Sequence, residues 1–486
     1  MDGFYWKIIP TLKWSGGAQV IRQLLQFVLS IILARLLDPE DFGLIGIIIL
    51  FSNFVQLVSD LGFGSALIQK TKVEPEQLDS VFWMNVLVGV IATISFIAVA
   101  PLLVFLYNKP ILKNLASLVA LSFIIASFSV VQRSLLYKAM NFKLIALIDM
   151  SAIFISGIVS VITALSGYGV WSLVVQSLTF QSIQTIGLWC FSNWRPQKRF
   201  SRNSLRELCG YSFHFTGFNI FNYWVRNADN FLISKLLSAH ALGIYSRAYS
   251  MMTLPVLQMT DFISQVMFPA LSSIQNDIEQ FKRVYLKAIR AIALVTCPMM
   301  TGLLVSAKPF ILVLFGEKWH EVIPVFQILC AVGLIQGIGS TVGWIYTSLG
   351  RTDIMFKWGV FAGIIYILSF LVGIHWGILG VAIAYVLSGY CVLWYPAWAI
   401  PGRLINLSFS EMFRNISGPL LCSLIMAACT AFLSTVLFQK YSQIVQLALM
   451  ISFGIIIYLL CIHSFQLVAL KEIKALIKSN IVNRNG

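Results

Sequence analysis

Runs of about twenty apolar residues, divided by short polar breaks, recur along the whole chain. They predict fourteen membrane-crossing helices, at 15–37, 42–66, 80–106, 114–136, 144–166, 168–192, 208–236, 242–268, 284–307, 321–349, 354–375, 377–400, 413–437 and 442–465. A helix of that length spans the roughly 30 Å hydrocarbon core, and the runs lack the strict alternation of a membrane barrel. Asp38–Asp41, Gly167, Ser238–Ala241 and Trp376 are near-minimal turns, so neighbouring helices run antiparallel.

The first run carries a polar stripe. Ser15, Gln19, Arg22, Gln26 and Ser30 recur every three or four residues and share one helical face. A charge at mid-bilayer costs roughly 2.5–3.5 kcal/mol even on the lenient insertion scale, so the stripe is expected to face a bundle interior or a wet cavity. The seventh run carries a matching stripe, Thr216, Asn219, Arg226 and Asn230, with Asn222, Tyr223 and Asp229 beside it.

Shifted by 200 positions, the first run aligns with the seventh. Gln19 meets Asn219, Arg22 meets Asn222, Gln26 meets Arg226, Ser30 meets Asn230, and Arg35-Leu36-Leu37 meets Lys235-Leu236-Leu237. The offset grows to 208 where Ala100–Leu106 meets Lys308–Leu314, and to 211 where Gly169-Val170 meets Gly380-Val381. Spans one to six thus repeat as seven to twelve. Six is even, so the halves run in the same direction about an axis along the membrane normal.

The expected fold is an all-α polytopic membrane protein with about fourteen transmembrane helices. Two parallel six-helix repeats form two lobes, and two extra helices follow. The expected divisions are an N-lobe at 1–194, a basic cytoplasmic linker at 195–207, a C-lobe at 208–400, and spans thirteen and fourteen with a basic tail at 401–486.

Composition agrees. Of 486 residues, 58% are hydrophobic and 11% charged, against about 25% charged in soluble domains. The net charge of +15 first suggests nucleic acid, but its placement points to topology. With the N-terminus in the cytoplasm, 24 of the 34 Lys and Arg fall in cytoplasmic segments and five in outer connections. Both termini are therefore expected inside, with no nucleic-acid partner. Trp6, Lys7, Lys13 and Trp14 read as an interfacial anchor rather than a cleavable signal. The eight cysteines form no Cys-x-x-Cys pair and the five histidines show no ligand spacing, so neither metal nor cofactor is expected.

Arginine presents a planar fork of donors suited to phosphate oxygens. Arg22 and Arg226, with Gln19, Gln26, Asn219, Asn222 and Asn230, therefore form a candidate site for an anionic headgroup between the lobes. The competing reading is internal pairing, Arg226 with Asp229 or Arg22 with Asp60. Asp60, Asp229, Arg247 and Asp261 are candidates for gating or ion coupling. No Gly-rich phosphate loop, His-Glu-x-x-His or Gly-x-Ser-x-Gly motif is present, so no enzymatic activity is expected.

Several stretches resemble the Wzx-type polysaccharide flippases. They are Leu33-Ala34-Arg35-Leu36-Leu37-Asp38-Pro39-Glu40-Asp41-Phe42-Gly43, Ser59-Asp60-Leu61-Gly62-Phe63-Gly64-Ser65-Ala66-Leu67-Ile68-Gln69, Phe268-Pro269-Ala270-Leu271-Ser272-x-Ile274-Gln275-x-Asp277, and Phe315-Gly316-Glu317-Lys318-Trp319. The branch they resemble is that of the colanic acid and teichuronic acid exporters, within the multidrug/oligosaccharidyl-lipid/polysaccharide exporter superfamily. The resemblance covers Trp14 to the end of span twelve. It implies a bacterial inner-membrane flippase that moves a polyprenyl-diphosphate-linked oligosaccharide by alternating access, for surface polysaccharide such as lipopolysaccharide or exopolysaccharide. Implied partners are that lipid-linked glycan, bilayer lipids, and a polysaccharide polymerase or other assembly proteins. A multidrug cation antiporter of the same superfamily is the alternative, and its cavity should be rich in carboxylates. A glycan polymerase would need a large outer loop. A scaffold would tolerate mutation of the whole stripe.

Overall fold

The Leu37-Asp38-Pro39 turn shows why the chain breaks where it does. Proline lacks the N–H that a helix interior needs and biases the residue before it away from helical backbone. It suits a first helical position, and Pro39 opens the next helix with Glu40 and Asp41 in its first turn, where the helix dipole favours acids. The Asp38 backbone N–H donates to Asp41 Oδ2 at 3.2 Å and closes the turn.

A computed structural model describes residues 2–59, 63–70, 73–201 and 220–466, with side chains from Gly17 onward apart from a few helical positions, Asp261 among them. Every regular element among these residues is helical. The first eight helices are α1 (Asp2–Leu36), α2 (Pro39–Ser59), α3 (Phe63–Gln69), α4 (Pro75–Tyr107), α5 (Ile111–Ser127), α6 (Val130–Lys138), α7 (Phe142–Leu165) and α8 (Trp171–Phe191). Residues 220–226 are helical again and lead into α9 (Ala228–Leu236). Next come α10 (Ala239–Ser273), α11 (Ile278–Val305), α12 (Ala307–Leu314), α13 (Val322–Gly339), α14 (Val342–Ser348), α15 (Thr352–Gly373) and α16 (Gly377–Leu387). The last three are α17 (Trp394–Gly402), α18 (Phe409–Val436) and α19 (Gln443–Ser464).

Among the described residues, 9 stretches are long and apolar enough to cross a membrane, or 10 if α5 and α6, bent by 44°, count as one span. One of them, 54 residues long, folds back at Ile374–Trp376 and holds two expected spans. The chain is a multi-pass membrane protein. Each expected span falls, in whole or in part, on described helix. The expected connection after span nine is itself ordered, as α12 and a 3₁₀ turn at Glu317–Trp319.

The repeat is visible in the order of elements. α2 corresponds to α10, α5–α6 to α13–α14, α7 to α15, and α8 to α16–α17. The two halves differ at one helix. α4 continues through Pro101 to Tyr107, whereas its counterpart ends at Val305 and restarts as α12.

By packing, the chain divides into residues Met1–Gly243 and Ile244–Gly486. In the first unit, Phe82 is buried among Trp83, Phe128, Trp189 and Trp194, with ring centroids 5.3–6.1 Å away. The start of the basic linker is docked here. The Gln197 and Ser201 backbone N–H groups donate to Asp79 Oδ1 (3.0 Å) and Ser80 Oγ (2.8 Å). α9 packs on α2 and α4, which is why the division by packing falls at Gly243.

In the second unit, α11 packs against α13 and α18 through a buried cluster that includes Phe281, Tyr285, Trp344 and Trp398. α19 is tied on by the Tyr458 hydroxyl, which donates to the Leu294 carbonyl at 2.7 Å. Arg247 lies over the rings of Phe315 and Trp319, at 5.6 and 5.5 Å. The Phe315–Trp319 motif therefore covers a half-buried arginine of α10 with two aromatic faces. Trp319 is fully buried. Trp319→Ala should cost about 3–5 kcal/mol, seen as a lower thermal unfolding midpoint in detergent, with Trp319→Phe losing clearly less.

Candidate functional site

Asp149 sits on the core-facing stripe of α7 with Ile145, Ile148, Ala152 and Ile153, all buried and three or four residues apart. A carboxylate there must find partners or neutralise. Three side chains from three other helices supply them. Arg133 of α6 donates through Nη2 to Asp149 Oδ2 at 3.1 Å. Arg22 of α1 reaches the same oxygen through Nη1 at 3.5 Å. Gln184 of α8 donates to Asp149 Oδ1 at 2.7 Å.

Two arginines thus share one carboxylate, leaving one net positive charge. Arg22 Nε is buried without a hydrogen-bond partner. The arginine side chains are 35% and 31% exposed, while that of Asp149 is 7% exposed. The carboxylate is enclosed and the cations reach outward.

Arg133 and Gln184 also line a cavity of about 350 Å³ inside the first unit. It lies among α2, α3, α4, α5, α6 and α8, and its lining is half polar, with Gln56, Asn85 and Gln181 among the contributors. Arg133 is its one charged lining residue among the described residues. The Arg133 guanidinium stands 5.9 Å from the Tyr137 ring centroid, which helps to fix it.

At the opposite end of this unit the first turn and the α9–α10 turn are locked together. A Cβ built on Gly43 would stand 1.6 Å from the Ala239 carbonyl oxygen, and one on Gly243 would stand 1.9 Å from that of Pro39. Pro39 and Gly43 are the repeat counterparts of Ala239 and Gly243, so the contact is reciprocal. Around it, Lys235 Nζ donates to the Leu106 carbonyl at the end of α4 (2.6 Å), where a cation suits the helix dipole. Tyr107 and Ser234 share a hydrogen bond at 3.1 Å, and Lys109 pairs with Glu40 at 2.7 Å. The Tyr223 hydroxyl donates to the Leu50 carbonyl.

Of the residues singled out in the sequence, Arg22 joins this cluster. Gln19 and Gln26 are exposed on α1. Asn222 and Arg226 lie in the helical stretch 220–226, Asn222 half-buried and Arg226 exposed. Arg226 forms no ion pair among the described residues. Asp229 is buried in the first turn of α9 and accepts from the Asn230 backbone N–H at 2.7 Å, while Asn230 Oδ1 is buried without a partner. Asp60 and Asn219 lie outside the described residues, and Asp261 lies on α10 with its side chain outside the description. Arg247 is enclosed by the two aromatic rings. Asp149, Arg133 and Gln184 were not singled out. The signal for Asp149 was available, since it is a lone carboxylate inside an expected span, and such a residue is functional until shown otherwise. Arg133 counts in the sequence only as a topological charge.

A family model described as polysaccharide biosynthesis protein matches residues 32–324. The chain belongs to this family. Among its relatives is the lipopolysaccharide biosynthesis protein WzxC of Escherichia coli (strain K12), 28% identical over 78% of each chain. Another is the teichuronic acid biosynthesis protein TuaB of Bacillus subtilis (strain 168), 26% identical over 93% of this chain and 94% of that one. The fold is similar to that of the lipid II flippase MurJ in an inward closed conformation, with TM-score 0.73 and 17% identity over 93% of this chain and 98% of that one. It is also similar to an inward-facing multidrug resistance MATE family transporter of the MOP superfamily, with TM-score 0.61 and 14% identity over 80% and 96%. The family match, with this fold, bears out the resemblance read from the sequence motifs.

Proposed function

We propose that this protein is a flippase that carries a polyprenyl-diphosphate-linked oligosaccharide repeat unit across the bacterial inner membrane by alternating access, with both termini in the cytoplasm. The observation that carries the reading is the Arg22–Asp149–Arg133 cluster, whose Arg133 lines a polar cavity. A charged headgroup crosses a bilayer slowly because desolvation is costly, and fixed cations beside a wet polar cavity reduce that cost. The names of WzxC and TuaB place relatives in surface polysaccharide synthesis, and MurJ is a lipid flippase of the same fold.

Arg22 and Arg226 are the residues assigned to the diphosphate, with Gln19, Gln26, Asn219, Asn222 and Asn230 as hydrogen-bonding neighbours. Asp60, Asp229, Arg247 and Asp261 retain the gating or coupling role. The lobe boundaries at 194 and 208 follow the repeat. A cavity of about 440 Å³ with an almost wholly apolar lining, bounded by α11, α12, α18 and α19, offers room for part of the lipid tail. The protein moves its cargo without chemical change, alongside a polymerase and other assembly proteins.

The test is complementation of a strain lacking the native gene. Arg22→Ala and Arg226→Ala should each express at the normal level and reduce surface polysaccharide at least about tenfold, the effect of one lost charge-assisted contact. Full restoration by both variants would refute the diphosphate site.

A further inference from the structure

The chain leaving α8 is tied to the first unit at several points. Arg195 is committed to the end of α8. Its guanidinium donates to the carbonyls of Trp189 (2.9 Å), Ser192 and Trp194 (2.9 Å), and lies 5.5 Å from the Trp189 ring centroid. Gln197 is held at both of its backbone groups. Its N–H donates to Asp79 Oδ1 at 3.0 Å, and its carbonyl accepts from Trp83 Nε1 at 2.9 Å. The Ser201 N–H donates to Ser80 Oγ at 2.8 Å. Asp79 and Ser80 are buried, so these ties anchor the segment in the body of the unit.

Between the ties at 197 and 201 the chain presents Lys198, Arg199 and Phe200, all exposed. Lys198 and Arg199 make no hydrogen bond or ion pair among the described residues. Phe200 is 62% exposed, and Phe191 at the end of α8 is exposed as well. The depth of this segment follows from α4. Its 33 residues make a rod of about 50 Å, roughly 20 Å longer than the hydrocarbon core, so about 10 Å projects at each end. Asp79 is about 6 Å and Trp83 about 12 Å from the Pro75 end. The ties therefore lie in the headgroup layer and at the edge of the core. Cations beside an aromatic ring at that depth suit a lipid headgroup better than a soluble partner.

We infer that residues 198–200 form a preformed docking surface for an anionic phospholipid. The Arg199 fork meets the phosphodiester oxygens, Lys198 adds a point charge, and Phe200 lies among the glycerol and upper acyl carbons. No carboxylate occurs in residues 195–201 to balance a choline or ethanolamine, which favours the anionic headgroup over a zwitterionic one. The inference goes beyond the flippase reading and takes from it only the leaflet, which is cytoplasmic on the topology proposed there.

The experiment places a fluorophore on Ser201→Cys in a cysteine-free background, with the full-length protein in phosphatidylcholine nanodiscs. Phosphatidylglycerol or phosphatidylcholine, spin-labelled near the top of an acyl chain, serves as quencher. Half-quenching by phosphatidylglycerol should need a mole fraction at least about tenfold lower, since each cation near the surface contributes about fivefold. Lys198→Gln with Arg199→Gln should bring the two lipids together. Trp83→Phe keeps both cations but cuts one tie, and should lose part of the preference at an unchanged melting temperature. Arg283→Gln with Lys287→Gln, exposed cations on α11, should leave the preference intact. Equal quenching by the two lipids, or a preference that survives loss of Lys198 and Arg199, would overturn the inference. An equal loss from the α11 pair would mean a general field instead of a site, and an unchanged preference in Trp83→Phe would mean that the ties do not form it. Relief of quenching by a polyprenyl diphosphate at lower concentration than unlabelled phosphatidylglycerol would reassign the surface to cargo and refute the phospholipid. None of these readouts involves translocation, so the surface and the flippase reading stand or fall separately.

Discussion

Asp149→Ala should cost about 3 kcal/mol and lower both yield and melting temperature in detergent. The figure comes from breaking a buried ion pair from one side, which leaves the partner charge uncompensated and costs roughly 3–5 kcal/mol. The low end applies because Arg22 and Arg133 keep 35% and 31% of their side-chain surface exposed and so recover some solvation when the carboxylate is lost. Asp149→Asn should be milder, since an amide oxygen can still accept from Gln184. A double-mutant cycle gives the decisive measurement. Asp149→Ala combined with Arg133→Gln removes the unpaired cation together with its anion, and should be more stable than Asp149→Ala alone. Equal or lower stability of the double variant would mean that Asp149 acts through packing rather than charge.

Gly43→Ala and Gly243→Ala should each break the crossing of the α1–α2 and α9–α10 turns. A side chain in the way can rotate, but the obstacles here are the backbone carbonyls of Ala239 and Pro39, at 1.6 and 1.9 Å from the added carbon. The helices must separate at this end, and the neighbouring Lys235–Leu106 and Tyr107–Ser234 contacts go with the crossing. In the flippase reading this is the outer face. The expected result is a several-fold faster reaction of a cysteine placed at Tyr107, in a cysteine-free background, with a membrane-impermeant maleimide added from outside, together with loss of polysaccharide. An unchanged rate in both variants would show that the crossing does not close that face. The reciprocal contact makes a second demand, that the two glycines give similar effects.

Much of the fold is legible in the sequence for a physical reason. In a bilayer, each crossing segment must satisfy its own backbone, so length and apolarity alone mark the helices. The breaks were less legible. The bend between α5 and α6 and the split between α11 and α12 fall inside segments whose hydropathy is continuous or ambiguous, and only packing shows where the backbone turns. The Phe315–Trp319 motif was visible as a family feature, but its role in covering Arg247 required two elements far apart in the chain to meet.

The candidate site divides in the same way. The periodicity of Gln19, Arg22 and Gln26 required that this face of α1 avoid lipid, and the shift of 200 showed that a second helix repeats the pattern. Those follow from the cost of a charge in hydrocarbon and from helical geometry, both local properties. What Arg22 meets is not local. Its carboxylate is 127 residues away on α7, shared with an arginine of α6 and oriented by a glutamine of α8. The sequence by itself determined the class of the protein, its spans, its repeat and the presence of arginines that must be sheltered. Only the tertiary structure decided their partners, because pairing depends on which helix faces come together, and hydropathy and spacing leave that open.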